Sequence, residues 1–470
     1  MIRRRLTRRT VARQLTASDA DFLSLEDGLQ SGNIALLVTV APPPDGGTLT
    51  LEDVRARVAA RLSDIPLFSW RLHRVPLDLD HPYWVEAGDV EVVYHVREMQ
   101  LPRQSDTETI AVAVAREMVR PMDRSRPLWE IHVMHGLPGG ETGLLLKLHH
   151  SGADGESAVE VVRLLVDTPG RATSMAAVGT AVESSDMRLI GRGVLRCAQY
   201  LIRRVIHLGR RLTPAGPEAG RGARRVAEER ADPPTTSFNH SLTATRVFAF
   251  GRIPLVEVKR IRRRNGFSTN DVVVAIYTGA VRRWLLAHDE LPSSPLITML
   301  PHSTRRKEDR IAFGNRFGFS VAPFHTEETD PVERLRLTHD SLQTAGDPQQ
   351  TLAGEHRSVP DEERAPPILA RARKKVRPVA MMGRQNLIVS TVPGPPLPVQ
   401  FAGAEVTGIF PCSVLFDGVG LNVTSIIYRG HAHFGMVADE AHVPDVWRVA
   451  DWIHESLDEL DNLGSDPIAR

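Results

Sequence analysis

The stretch Lys147-Leu-His-His-Ser-Gly-Ala-Asp-Gly-Glu-Ser157 ends an apolar run with two adjacent histidines, then turns through small residues to Asp-Gly. Upstream, Ile131 to His135 and Leu144 to His149 read as strands joined through Pro138-Gly-Gly140, a hairpin. Downstream, Val159, Val162 and Val166 recur at helical spacing over Glu156 to Val166. The stretch is therefore a strand, a tight turn and a helix start. Successive strand side chains point to opposite faces, so His149 and His150 are poorly placed to share one ion. No i, i+4 histidine pair with a third ligand accompanies them, and no metal site is expected. Two readings stay open. In one, a buried histidine is merely hydrogen-bonded and Asp154 caps the helix beginning at Gly155. In the other, one imidazole faces a cleft as a general base, and Asp154 orders the turn.

Outward from this corner the pattern is mixed. Ala35 to Val40 and Tyr83 to Tyr94 read as strands, and Leu51 to Leu62 and Thr109 to Met118 as helices. In the second half Thr245 to Phe250, Leu296 to Leu300, Ser320 to Phe324 and Asn386 to Val392 read as strands. Gly420 to Tyr428 pairs with His431 to Met436 through Arg429-Gly430. Helices are expected over Leu255 to Arg263, Val272 to Ala287 and Val443 to Leu460, with Ser268 or Asn270 available as a cap. The spacing predicts two mixed α/β halves, 1–168 and 244–470, joined by a linker over 169–243.

The chain has 470 residues, 42% apolar and 24% charged, with net charge +1; this is globular, without a global pull toward polyanions. Cys197 and Cys412 make neither a disulfide framework nor a zinc pattern, so a reducing cytoplasm is expected. The basic N-terminus leads into no apolar h-region, and no uninterrupted apolar run is long enough to span a bilayer. Within the linker, however, Met187 to Leu212 is a basic amphipathic helix. Ile190, Val194, Ala198, Leu201, Val205 and Leu208 fall on one face, Arg188, Arg192, Arg196, Arg203 and Arg210 roughly opposite, and no acid interrupts them. Its apolar face either packs on the protein or lies in a membrane interface with arginines at anionic headgroups. Nucleic acid is not expected, because no binding fold or aromatic platform accompanies the basic residues.

His149-His-Ser-Gly-Ala-Asp-Gly155 is an HHxxxDG motif, and in its company the chain resembles the bacterial wax ester synthase/acyl-CoA:diacylglycerol acyltransferase family. The accompanying stretches occur in the order expected of that family. They are Leu15-Thr-Ala-Ser-Asp19 with Phe22, Val75-Pro76, Pro121-Met-Asp-Arg-Ser-Arg-Pro-Leu-Trp-Glu130, Ser268 to Asp271, Gly314-Asn315, Val392-Pro-Gly-Pro395, Gly420-Leu-Asn422 and Phe434-Gly-Met-Val-Ala-Asp439. The resemblance covers about residues 12 to 460, least well in the linker. It implies two chloramphenicol acetyltransferase-like domains with the active-site channel between them. It also implies transfer of a long-chain acyl group from acyl-CoA to diacylglycerol or a fatty alcohol, without a covalent acyl-enzyme or any cofactor.

By the same resemblance His150 is the general base, His149 its less critical partner and Asp154 an ordering residue. Gly155 suits close helix-to-strand approach. Asn270 is the candidate oxyanion donor, with helix capping as its other reading. Pro127, Leu128 and Trp129 are expected as a structural or acceptor-pocket element, and Asp271, Gly314 and Asn315 as fold or channel devices. The location implied is cytoplasmic, peripheral to the inner membrane or lipid inclusions. Three departures bear on the acceptor: Thr391 stands where the family commonly has Asn before Val-Pro-Gly-Pro, Ser31-Gly-Asn-Ile34 replaces Met-His-Val-Gly, and Ser151-Gly152-Ala153 is smaller than the common filling. The same chemistry on another hydroxyl acceptor, or a lipid-binding homologue with a decayed site, are the competing readings.

Overall fold

In the computed structural model, residues 12–462 are described except 45, 103–104, 168–185, 213–232, 306–313, 347–364 and 370–384. Much of the expected linker thus lies outside the described residues. The strands are β1 (Ala12–Gln14), β2 (Asn33–Val40), β3 (Trp70–His73), β4 (Tyr83–Glu86), β5 (Val96–Met99), β6 (Trp129–Met134), β7 (Thr142–His149), β8 (Arg246–Pro254), β9 (Leu296–Ser303), β10 (Phe317–Phe324), β11 (Leu387–Pro393), β12 (Gln400–Phe401), β13 (Ala404–Cys412), β14 (Leu421–Tyr428) and β15 (His431–Asp439). They form two six-stranded mixed sheets, β12-β13-β2-β7-β6-β5 and β10-β9-β11-β14-β15-β8, and a small sheet β1-β4-β3.

The first sheet is covered on both faces, so β2 and β7 are buried along their whole length. Leu36, Val38, Leu144 and Leu146 face a core shared with the helices Leu51–Arg61 and Gly155–Leu165. The alternate residues Leu37 and Leu145 face the helix Thr107–Val119. In the second sheet Ile388 and Ile426 point into the first domain's core, whereas Val389 and Val423 pack on the helices Thr269–Ala287 and Val446–Asn462. The period-2 pattern of β11 and β14 thus presses one face on each domain.

Three expectations change here. The halves of the sequence are not the halves of the fold: β13 leaves the second domain and pairs antiparallel with β2, Cys412 opposite Ala35 and Val406 opposite Val40. The strand expected over Tyr83 to Tyr94 stops at Glu86. Gly88, at φ 80°, turns the chain, and Val92–His95 forms one helical turn before β5. The last helix begins at Val446, three residues late, because Pro444 precedes it and His442 and Val443 donate backwards to the Asp439 carbonyl.

Candidate active site

The HHxxxDG corner sits where the two sheets meet. β7 ends at His149, the turn crosses Ser151 and Gly152, and Asp154 caps the helix Gly155–Leu165 by accepting from the Ser157 amide at 2.9 Å. Asp154 is also the hinge to the second domain. Arg305 Nη2 donates to its Oδ1 and Oδ2 at 2.8 and 2.7 Å, and the Arg316 amide donates to Oδ2 at 3.1 Å. The loop Gly314–Arg316 therefore lies across the turn, with the Gly314 amide on the Gly152 carbonyl at 3.1 Å. A Cβ at Gly155 would lie 3.2 Å from Val392 of β11, which is why helix and strand can meet here.

The two histidines differ in what their ring nitrogens are free to do. His149 Nδ1 accepts from the Ser151 amide at 3.1 Å, so its proton is on Nε2, which faces Glu26 Oε1 at 3.2 Å. Burial pushes the Glu26 carboxyl upward, but His149 and Arg124 outweigh it and hold it at about 2. Both nitrogens of His149 are thereby engaged. His150 lies with its Nδ1 2.9 Å from Asn315 Oδ1 and its ring stacked on Phe22, centroids 3.9 Å apart and planes 3° from parallel. Among the described residues nothing is hydrogen-bonded to its Nε2, and the residue keeps 9% exposure. Burial pushes the His150 imidazole down to about 4, against Asp154 and the Asn315 bond. The ring is thus neutral at pH 7.

Other expected residues fall elsewhere. Trp129 is a core residue: it stacks between Phe68 and His95 at 4.0 and 4.2 Å and donates to the Phe68 carbonyl. Leu128 is buried and accepts the His149 amide at 3.1 Å, while Pro127 bridges to Arg71 and its carbonyl accepts the Trp129 amide at 3.0 Å, so the motif braces β7. Asn270 does not have the setting expected of an oxyanion donor. It is exposed on the first turn of Thr269–Ala287, where the cap is a reciprocal pair: Ser268 Oγ accepts from the Asp271 amide and Asp271 Oδ2 from the Ser268 amide. Asp271 also accepts from His339 Nδ1 at 2.8 Å. Thr391 bonds Ser425 at 3.3 Å, on the β11 face opposite Val392, and so points away from the HHxxxDG turn.

Sequence reasoning missed Arg305 and Glu26 and left Asp19 and Phe22 without roles. A signal existed only for Asp19, in the capping-box spacing Thr16-x-x-Asp19. A further buried cluster, Glu117, Glu130 and His132, has the ligand atoms of a metal site. The Lys147 ammonium lies 3.3 and 3.4 Å from the two carboxylates, however, and supplies the cation itself.

The HHxxxDG turn thus places a buried neutral histidine at the seam of two mixed-sheet domains, a fold shared with condensation domains. The sequence matches the family model "Wax ester synthase/diacylglycerol acyltransferase catalytic domain" over residues 15–273 and "WS/DGAT C-terminal domain" over 313–461. The chain belongs to that family and is an acyltransferase. It is 28% identical to the "Probable diacyglycerol O-acyltransferase tgs1" of Mycobacterium tuberculosis, covering 95% of each chain. With tgs2 of the same organism it shares 26% identity over 94% of this chain and 98% of the relative. In structure it resembles the wax ester synthase/diacylglycerol acyltransferase of Marinobacter aquaeolei VT8, with TM-score 0.68 and 24% identity over 96% of this chain and all of that one. The first condensation domain of the CDA synthetase shares the fold at TM-score 0.56 and 15% identity, covering 98% of this chain and 97% of that one.

Proposed function

We propose that the protein moves a long-chain acyl group from acyl-CoA to the hydroxyl of diacylglycerol or a fatty alcohol, with His150 as general base. The observation that carries the reading is the division between the two rings: His149 spends both nitrogens on the protein, and His150 keeps Nε2 uncommitted. Nε2 takes the hydroxyl proton as the oxygen attacks the thioester carbonyl. The tetrahedral oxyanion then collapses, the C–S bond breaks, and the imidazolium returns the proton to the departing thiolate. Charge and protons balance without a covalent acyl-enzyme, and the step asks for no metal or cofactor. A positioned base of this kind contributes ~10²–10⁴-fold.

These acceptors reside in lipid phases, and the helix Asp186–Leu212 supports a peripheral approach to them. Its inner side is the one that docks: Leu189 is buried with Val75, Tyr83 and Val85, Arg196 pairs with Asp80 at 3.2 Å, and Cys197 donates to the Leu79 carbonyl. The apolar face expected from periodicity is turned outward, with Val194 53%, Leu201 51% and Val205 70% exposed, while Leu208 and Arg210 fall outside the described side chains. Among the described residues no helix is long and apolar enough to cross a membrane. An outward apolar arc edged by arginines suits the surface of an anionic bilayer or lipid inclusion.

The test is thiol release from palmitoyl-CoA with dipalmitoylglycerol or hexadecanol, wild type beside His150→Ala. Acceptor-dependent release that the variant loses supports the reading and ranks the two acceptors. Folded protein that releases no thiol with either acceptor, on vesicles, would direct attention to other hydroxyl acceptors. Flotation of wild type and Val205→Glu with phosphatidylglycerol vesicles tests the helix, the variant being expected to stay at the bottom of the gradient.

A further inference from the structure

We propose that Asp19 is a positioning residue for this reaction: acting through Asn315, it fixes His150 in the tautomer that carries its proton on Nδ1 and leaves Nε2 free. The inference rests on the reading of His150 as base. It starts from the orientation of one amide. Asn315 Nδ2 is 2.8 Å from Asp19 Oδ1 and 2.6 Å from the His150 carbonyl oxygen, two groups that accept. Both of its hydrogens are spent there, so the opposite end of the amide, Oδ1, must be the end that meets His150 Nδ1 at 2.9 Å. An oxygen acceptor requires Nδ1 to bear the proton. Reversing the amide would set its oxygen against the Asp19 carboxylate and the His150 carbonyl, and would offer N–H groups to Nδ1. That arrangement would move the imidazole proton to Nε2 and remove the base.

Asp19 is built to hold this position. It is buried in the helix Ala17–Leu25, whose first turn it locks by a reciprocal cap with Thr16. The Asn315 backbone amide donates to the same Oδ1 at 2.9 Å, so amide and backbone of residue 315 are gripped together. Burial pushes its carboxyl upward, against Asn315, Arg13 and Thr16. Gly314, at φ 106°, leaves room for Arg13: a Cβ there would lie 2.5 Å from its guanidinium. Phe22, one turn along the helix, covers the His150 ring. A short N-terminal helix thus sets the tautomer of the imidazole with one residue and shields it with another. Residue 19 reaches across 296 positions of chain to do so.

The test compares wild type, Asp19→Asn, Asn315→Leu, the exchange Asp19→Asn/Asn315→Asp, and His150→Ala. Asp19→Asn keeps an acceptor for the Thr16 cap but no longer dictates which end of Asn315 faces it. Expected is a fall in kcat of at least tenfold with KM nearly unchanged, since the general base itself is worth ~10²–10⁴-fold. Asn315→Leu should fall as far. In protein labelled with ¹⁵N-histidine, the resonances absent from His150→Ala should show protonated Nδ1 in wild type and a mixture in Asp19→Asn. The exchange puts a carboxylate directly on Nδ1–H and so holds the proton there, while its second oxygen gives up the donation to the His150 carbonyl. The acid limb of kcat/KM should therefore move to higher pH, with the charged neighbours of the ring, Asp154 and His149, unchanged. A fold defect alone would not produce that shift. If His150→Ala abolishes turnover while Asp19→Asn and Asn315→Leu stay within twofold of wild type, the positioning role is overturned and the base reading survives. If His150→Ala is active, the base reading fails first. A wild-type spectrum with protonated Nε2 overturns the proposal without any variant having to fold.

Discussion

Replacing Arg305 by Met should uncouple the two domains at the active site. The Arg305 side chain is 4% exposed and that of Asp154 7%. One guanidinium nitrogen, Nη2, reaches both oxygens of Asp154, Ser157 Oγ and the Gly314 carbonyl, all within 2.7–2.8 Å. Met fills similar volume, so the cavity contribution is small. What remains is a buried carboxylate facing only the Ser157 and Arg316 amides. Breaking a buried pair from one side costs about 3–5 kcal/mol, and the two surviving amide donors put the expectation at the lower end. Urea unfolding at pH 7 should report about 3 kcal/mol with the m-value unchanged. Thiol release should fall further than the folded fraction does, because the loop carrying Asn315 loses its tether on Gly314. Arg305→Lys retains the charge without the fork and should fall between. A loss below about 1 kcal/mol, the usual worth of an exposed pair, would refute the argument that Asp154 depends on this guanidinium.

Three more outcomes follow from the packing. Asp271→Ala removes the reciprocal cap with Ser268 and the His339 contact; it should cost about 1–2 kcal/mol in chemical denaturation, with kcat per folded molecule preserved. Trp129→Ala empties the stack between Phe68 and His95 and should cost about 3–5 kcal/mol, seen as a lowered Tm. Burial holds both His150 and His433 down to about 4 in the folded protein, below the ordinary ~6.5. The folded state therefore resists protons that the unfolded chain accepts, and stability is lost as pH falls from about 6.5 toward 4, by about 3 kcal/mol for each group. Unfolding free energies at pH 7 and 4.5 should show the slope, and His433→Leu should flatten part of it.

The corner that decides the fold was legible because its information is local. A hairpin, a three-residue turn and a capped helix all lie within a few residues of His150, and each has a sequence signature. The partners of that corner were not legible, because they come from far along the chain. Arg305 meets Asp154 across 151 positions, and Asn315 meets His150 across 165. Nothing in the composition near Arg305 separates it from the other basic residues of Arg305-Arg-Lys307. β13 was equally hidden: no strand is expected from the sequence over Ala404–Cys412, and only the pairing with β2 places these residues in the first sheet. The Asn-Asp motif at 270–271 carried two readings in sequence, oxyanion donor and cap. Both readings were of Asn270, and it makes neither contact among the described residues: Ser268 and Asp271 form the cap, and Asn270 is left in solvent.

The linker helix shows what periodicity can and cannot decide. Spacing divides Met187 to Leu212 into an apolar and a basic face, but periodicity carries no information about which face meets the protein. Burying the apolar face is the usual outcome. Here the inner side is built from Leu189, Gly193 and Cys197, and Gly193 lies so close to Leu79 that a Cβ would stand 2.6 Å from the Leu79 Cβ. A small residue at that point lets the helix backbone approach the 76–80 turn, and Arg196 reaches Asp80 from the same side. The docking is therefore made by close approach and one ion pair, and the larger side chains Val194, Leu195, Leu201, Ile202 and Val205 are left outward. Gly193→Leu should lever the helix off the small sheet while leaving that outward arc unchanged. A loss of vesicle flotation in Gly193→Leu equal to that in Val205→Glu would mean the protein needs the helix held in this orientation; flotation kept with turnover lost would mean the arc binds lipid wherever the helix lies and that docking serves delivery of the acceptor.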